Sequence, residues 1–138
     1  MGRIVALDYG KKRTGIAVSD PLRLIAGGLT TMPSVETIAF LKRYIAENEV
    51  DLFVLGDPFQ MNYKPSENRE RVLKFKKDLQ RSFPHIEIQM IDERFTSTLA
   101  HQAMIQGGLK KKDRQNKALI DELSATILLQ SFLETNKA

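Results

Sequence analysis

No cysteine occurs in the 138 residues, which excludes both a disulfide framework and a thiolate metal site. No apolar run is long enough to cross a bilayer. The opening, MGRIVALDYG, has too short an apolar stretch for a signal peptide and leads straight into folded-looking sequence. Ala6 breaks the myristoylation pattern. There is no internal repeat, linker or low-complexity segment. Histidine is scarce: His85 and His101 stand far apart with no ligand pattern around them and read as structural or surface residues. These absences leave a soluble cytoplasmic protein as the expectation. What is present is a 42% hydrophobic chain, enough for one core, at a length that fits one domain spanning 1–138. The formal net charge of +4 is mildly basic and compatible with a nucleic-acid partner.

The chain is organised around Arg3–Asp20, RIVALDYGKKRTGIAVSD. Ile4, Val5, Ala6 and Leu7 form a short apolar run that suits a strand buried on both faces. It ends on a carboxylate, Asp8. Tyr9 to Arg13 makes a turn and Thr14 to Val18 returns as a second strand. An acid at the end of a core strand costs free energy unless a cation or hydrogen-bond donors meet it. An Asp-x-Gly turn alone also explains Asp8.

The remaining elements follow in order. Leu24–Met32 reads as a third strand, with Gly27-Gly28 marking a bulge or a close backbone approach. Pro33 stops it, and Ser34 is the expected N-cap of a helix over Val35–Asn48, with Ile38, Leu41 and Ile45 as its apolar stripe. Asp51–Gly56 is a fourth strand, apolar on both faces and ending at Asp57-Pro58. A second helix runs from about Ser66 to Arg81, burying Val72, Phe75 and Leu79. Its Arg69, Arg71, Lys74, Lys76, Lys77 and Arg81 read as a solvated helix face. Ile86–Ile91 is a fifth strand, closed by Asp92-Glu93-Arg94. Thr96 or Ser97 starts a third helix that stops at Gly107-Gly108. Lys110 to Lys117 is a polar basic loop. The last helix, from about Lys117 to Thr135, is apolar nearly all round. The order βββαβαβαα implies an α/β fold with a five-stranded mixed sheet flanked by helices.

Acids therefore stand at three special points: Asp8, Asp92-Glu93 and Asp121-Glu122. The helix dipole alone favours an acid in the first turns of the last helix. Asp121, however, shares a helix face with Ala125 and Leu128. Carboxylates that converge at strand ends repel each other, and a divalent cation relieves the repulsion. Hard oxygen ligands select Mg²⁺ or Mn²⁺. Two such ions about 3.5–4 Å apart can activate a water and stabilise a leaving oxygen in phosphodiester cleavage.

Three stretches carry a resemblance. LDYGKKRTGIAVSD (Leu7–Asp20), DERFTS (Asp92–Ser97) and IDELSATILLQSFLE (Ile120–Glu134), in that order over essentially the whole chain, resemble the YqgF/RuvX family. These are RNase H-like proteins related to the resolvase RuvC. The resemblance implies an RNase H-like fold, metal-dependent phosphodiester hydrolysis at a two-metal site, and Asp8, Glu93 and Asp121 as the metal-binding catalytic acids. It selects Asp121 over Glu122, which periodicity leaves open. It points to maturation of the pre-16S rRNA 5′ end during ribosome biogenesis, with a Holliday junction resolvase as the alternative. Structured RNA or branched DNA would be the partner. Two departures stand out. The chain reads Gly56-Asp57-Pro58 where the family has Gly-Leu-Pro, and its following loop lacks the family's glycine. Asp57 thus becomes a candidate fourth metal carboxylate beside its reading as a turn aspartate.

Lys11, Lys12 and Arg13 in the hairpin turn, Arg94 after Glu93, and Lys110, Lys111, Lys112 and Arg114 in the basic loop are the candidate phosphate contacts. An ordinary solvated turn explains Lys11, Lys12 and Arg13 equally simply, and an ion pair with an acid such as Asp92 is the favoured reading of Arg94. Tyr9 could stack on a base or pack. Two further classes compete. An actin-like or sugar-kinase-like ATPase shares the Asp-x-Gly hairpin but needs two such domains closing on a nucleotide. A non-catalytic RNA-binding assembly factor would keep the fold without the reaction, yet all three acids are present.

Overall fold

The computed structural model describes residues 2–22, 25–57, 67–92 and 117–135. Five strands form one sheet: β1 (Arg3–Tyr9), β2 (Arg13–Ser19), β3 (Ala26–Pro33), β4 (Val50–Asp57) and β5 (Glu87–Asp92). Their order across the sheet is β3-β2-β1-β4-β5. The pairs β1–β2 and β2–β3 are antiparallel, while β4 runs parallel to both β1 and β5. The expected mixed five-stranded α/β sheet is therefore present. Helices α1 (Thr37–Glu47), α2 (Glu67–Ser82) and α3 (Lys117–Thr135) accompany it. The expected helix between Thr96 and Gly108 and the basic loop after it lie outside the described residues, as do Glu93, Arg94 and His101.

Two apolar layers explain why β1 and β4 read as unbroken apolar runs. On one face Val5, Leu7, Phe53 and Leu55 pack with Leu41 of α1 and with Val72, Phe75 and Leu79 of α2. On the other, Ile4, Ala6, Leu52 and Val54 pack with Ala125, Leu128, Leu129, Phe132 and Leu133 of α3. Successive strand residues alternate between the two layers. A strand sandwiched this way shows no polar alternation in sequence.

Two local features differ from expectation or sharpen it. A register shift between Ile16 and Ala17 leaves Leu29 as the extra residue of a bulge, between Gly28 and Thr30, which is the bulge that Gly27-Gly28 announced. The helix expected from Val35 instead begins as a 3₁₀ turn over Ser34–Glu36, and α1 starts at Thr37. Ser34 is therefore not the N-cap: Pro33 precedes the 3₁₀ turn and Glu36 precedes α1, and neither makes a side-chain cap hydrogen bond. The Ser34 hydroxyl donates to the Gly10 carbonyl at 2.5 Å instead. The hydroxyl serves a distant carbonyl as donor rather than a backbone N–H of its own helix as acceptor.

Candidate functional site

Asp8 lies one residue past the Leu7–Leu55 pair, near the C-terminal end of the central strand. Strand alternation fixes its direction. Ile4 and Ala6 belong to the α3 layer, whereas Val5 and Leu7 belong to the α1/α2 layer, with Tyr9 packed against it. Asp8 therefore faces α3. It is half-buried, and its antiparallel partner is Gly15, which brings no side chain against it. Ile91 of β5 packs on the same α3 layer. In α3 the residue one turn after Asp121 is Ala125, fully buried in that layer.

The other acids sort by the same parity. Asp57 ends β4 in backbone register with Asp92 of β5. It lies two residues past Leu55 and four past Phe53, on the α2 side. It is held there by Arg69: Nε donates to Oδ1 at 2.9 Å and Nη2 to Oδ2 at 3.5 Å. The pair is well covered, with side-chain exposures of 25% for Arg69 and 13% for Asp57. The structure thus turns Asp57 away from the face of Asp8 and gives its negative charge a guanidinium. A fork of this kind satisfies both carboxylate oxygens. The sheet does not bring Asp57 and Asp8 together as shared metal ligands, and Arg69 is not part of a purely solvated helix face.

Tyr9 also takes a packing role. Its ring stacks on Phe75 of α2, centroids 4.2 Å apart and planes 16° from parallel. Burial raises its phenol above the usual range, and the nearby Asp78 carboxylate raises it further, against a lowering by Arg71. Lys11 and Lys12 are exposed in the turn and Arg13 is half-buried. The turn itself is narrow. Gly10 N donates to the Arg13 carbonyl at 2.9 Å, and a Cβ on Gly10 would meet that carbonyl oxygen at 2.7 Å.

Of the remaining candidates, Glu93, Arg94, Lys110, Lys111, Lys112 and Arg114 lie outside the described residues. Asp121 lies in the helical backbone of α3. Among the described residues no three metal-ligating side chains cluster. The donor chemistry still fits a hard divalent cation: an aspartate at the end of a central strand, in a chain with no thiolate to offer.

Comparison with known proteins identifies the relationship. Residues 2–135 match the family described as "RuvX: Holliday junction resolvase". The chain belongs to the RuvX family. A protein of Phocaeicola vulgatus named "Putative pre-16S rRNA nuclease" is 55% identical over 137 residues, 99% of each chain. One of the same name from Azobacteroides pseudotrichonymphae is 57% identical over 134 residues, 97% of each. Thermus thermophilus RuvC in complex with a Holliday junction substrate superposes with a TM-score of 0.60 at 15% identity, covering 99% of this chain and 97% of that one. That likeness shows the RNase H-like fold of RuvC in this RuvX member. Family and relatives alike carry the names of enzymes that cut phosphodiester bonds.

Among the described residues no helix is long and apolar enough to cross a membrane. Two features were not legible as site features in the sequence: the Asp57–Arg69 pair and the anchoring of the hairpin turn by Ser34. The first had a signal in opposite charges flanking one strand-to-helix connection. The second joins residues 24 positions apart and has no local signature.

Proposed function

We propose that this protein is a metal-dependent nuclease that acts in 5′-end maturation of pre-16S rRNA during ribosome biogenesis, in the cytoplasm and as a single domain over residues 1–138. The observation that carries the reading is the placement of Asp8 on the central strand, at its C-terminal end and on the α3 side. Glu93 is two residues beyond Ile91, which packs in that layer, and Asp121 is one turn before Ala125, which packs there too. Relatives that share more than half their residues with this chain and are named for pre-16S rRNA support the RNA substrate.

Asp8, Glu93 and Asp121 would hold Mg²⁺ or Mn²⁺ through carboxylate oxygens. When bound, a pair of such ions activates a water and stabilises the leaving oxygen of phosphodiester cleavage. The chain's own part is to hold and orient. Asp8 supplies an anionic oxygen from a strand fixed on both edges, so its position is set by the sheet. Lys11, Lys12 and Arg13 present cations beside it to the phosphate backbone. Arg94, Lys110, Lys111, Lys112 and Arg114 extend that role in the reading from sequence. The family's own description favours a second reading, cleavage of branched DNA.

One experiment separates these readings. A labelled pre-16S 5′-leader RNA and a four-way DNA junction are incubated in parallel with Mn²⁺, with Mg²⁺ and with EDTA. Asp8→Asn serves as the control for contaminating nuclease. RNA cleavage that needs both metal and Asp8 is the expected result. Paired symmetric cuts in the junction alone would replace it with the resolvase, and binding of either without cleavage would overturn the enzymatic reading.

A further inference from the structure

Four hydrogen bonds meet around the hairpin turn that follows Asp8. Ser34 N donates to the Lys12 carbonyl at 3.0 Å, and Gly10 N to the Arg13 carbonyl at 2.9 Å. Ser34 Oγ donates to the Gly10 carbonyl at 2.5 Å. Thr14 Oγ1 lies 2.8 Å from Ser34 Oγ. A hydroxyl has one proton to give. Ser34 gives its proton to Gly10, so Thr14 is the donor to Ser34. Thr14 and Ser34 are both buried, so these bonds form away from competing water. The carbonyls of Gly10, Lys12 and Arg13 are thereby occupied. The side chains of Lys11 and Lys12, on the same four-residue turn, stay exposed.

We propose that Ser34 is a positioning residue that presets the Lys11–Lys12 turn to receive the phosphate backbone of the substrate. The inference rests on the reading that these two lysines contact nucleic acid. A turn already fixed in its bound shape avoids the ordering cost that a loose one meets on binding. Ser34 reaches it from the β3–α1 junction, so the edge strand fixes the turn beside the catalytic edge. Ser34 itself touches no substrate and acts through two lysines.

The test measures binding of a fluorescent RNA stem-loop by the full chain in the Asp8→Asn background, across a range of KCl concentrations. Ser34→Ala is expected to weaken binding about five- to tenfold, the equivalent of one lost hydrogen bond. Ser34→Thr, which keeps the hydroxyl, recovers most of it. Replacing Lys11 and Lys12 together by Ala lowers the dependence of log K on log salt by about two contacts. On that double background Ser34→Ala then changes nothing further. Thr14→Val, which removes the proton given to Ser34 at nearly constant shape, shows the same lysine-dependent loss and serves if Ser34→Ala fails to fold. A loss from Ser34→Ala that is equal with and without the lysines overturns the positioning role. If removing the lysines leaves binding unchanged, the reading of the turn as a substrate contact fails, and the positioning role fails with it.

Discussion

Asp57 and Asp8 lie one residue apart in the register of neighbouring strands, yet they have opposite fates. Asp57 faces α2 and is forked by Arg69; Asp8 faces α3. Asp57→Asn is therefore expected to act on stability more than on chemistry. It weakens a charge-assisted, mostly covered contact and lowers the unfolding free energy by about 1–2 kcal/mol in urea melts, while cleavage by the folded variant persists. Loss of cleavage equal to that of Asp8→Asn would return Asp57 to the metal site. Tyr9 makes a pH-dependent prediction. Its phenol is raised by burial and by Asp78, so above the ordinary tyrosine value of about 10 the unfolded chain loses its proton first. Stability should then be complete below about pH 10 and fall as pH rises toward the folded value. The ultraviolet titration of the three tyrosines should contain a late component that Tyr9→Phe removes, together with part of the alkaline loss of stability.

At the level of elements, what could be read in advance depended on how one-sided each element is. The α2 stripe Val72, Phe75 and Leu79 is buried as its period announced. All five strands lie where the apolar runs put them. The direction of Asp57 could not be read, because a strand apolar on both faces carries no alternation until its helices are placed. In sequence Ser34 reads as a local cap, because a serine before a helical period usually is one. Here it bonds to a turn distant in sequence. The acid of β1 was visible, since a carboxylate ending an apolar run is conspicuous. Glu93 and Asp121 are proposed beside it on the resemblance, because distance between Asp8, Glu93 and Asp121 along the chain says nothing of distance in space. Two substitutions probe the elements. Leu128→Ala, in the buried face of α3, should cost about 2–5 kcal/mol by leaving a cavity in the layer beneath Asp8. Gly10→Ala should open the turn, because its Cβ would press on the Arg13 carbonyl. Loss of amide protection at Gly10 and Ser34 in hydrogen exchange would report it.

For the molecule as a whole, the proposed ligand set ties metal affinity to stability. A cation that binds only the folded state raises its stability with concentration, by about 2.7 kcal/mol at a hundredfold excess over Kd. The melting temperature of the wild-type chain should thus climb with added Mg²⁺ or Mn²⁺ and return with EDTA. In Asp8→Asn the climb should be reduced or absent, and the metal-free variant should be at least as stable as the metal-free wild type, having one fewer anion in the proposed ligand set. A wild-type melting curve indifferent to both metals would count against the site.

The position of β1 has a consequence for synthesis. Its pairing with β2 is local and can form as soon as the first hairpin is made, and β3 completes a meander by Pro33. The opposite edge of β1 waits for β4, where Leu7 meets Leu55 and Val5 meets Phe53. Until then the strand that carries Asp8 exposes an open row of backbone donors and acceptors flanked by apolar side chains, a template for pairing with other chains. Parallel pairing across such a separation is slow to form. The nascent protein therefore passes through an interval in which its most ordered segment is also its most adhesive one, and slow translation through α1 would lengthen that interval.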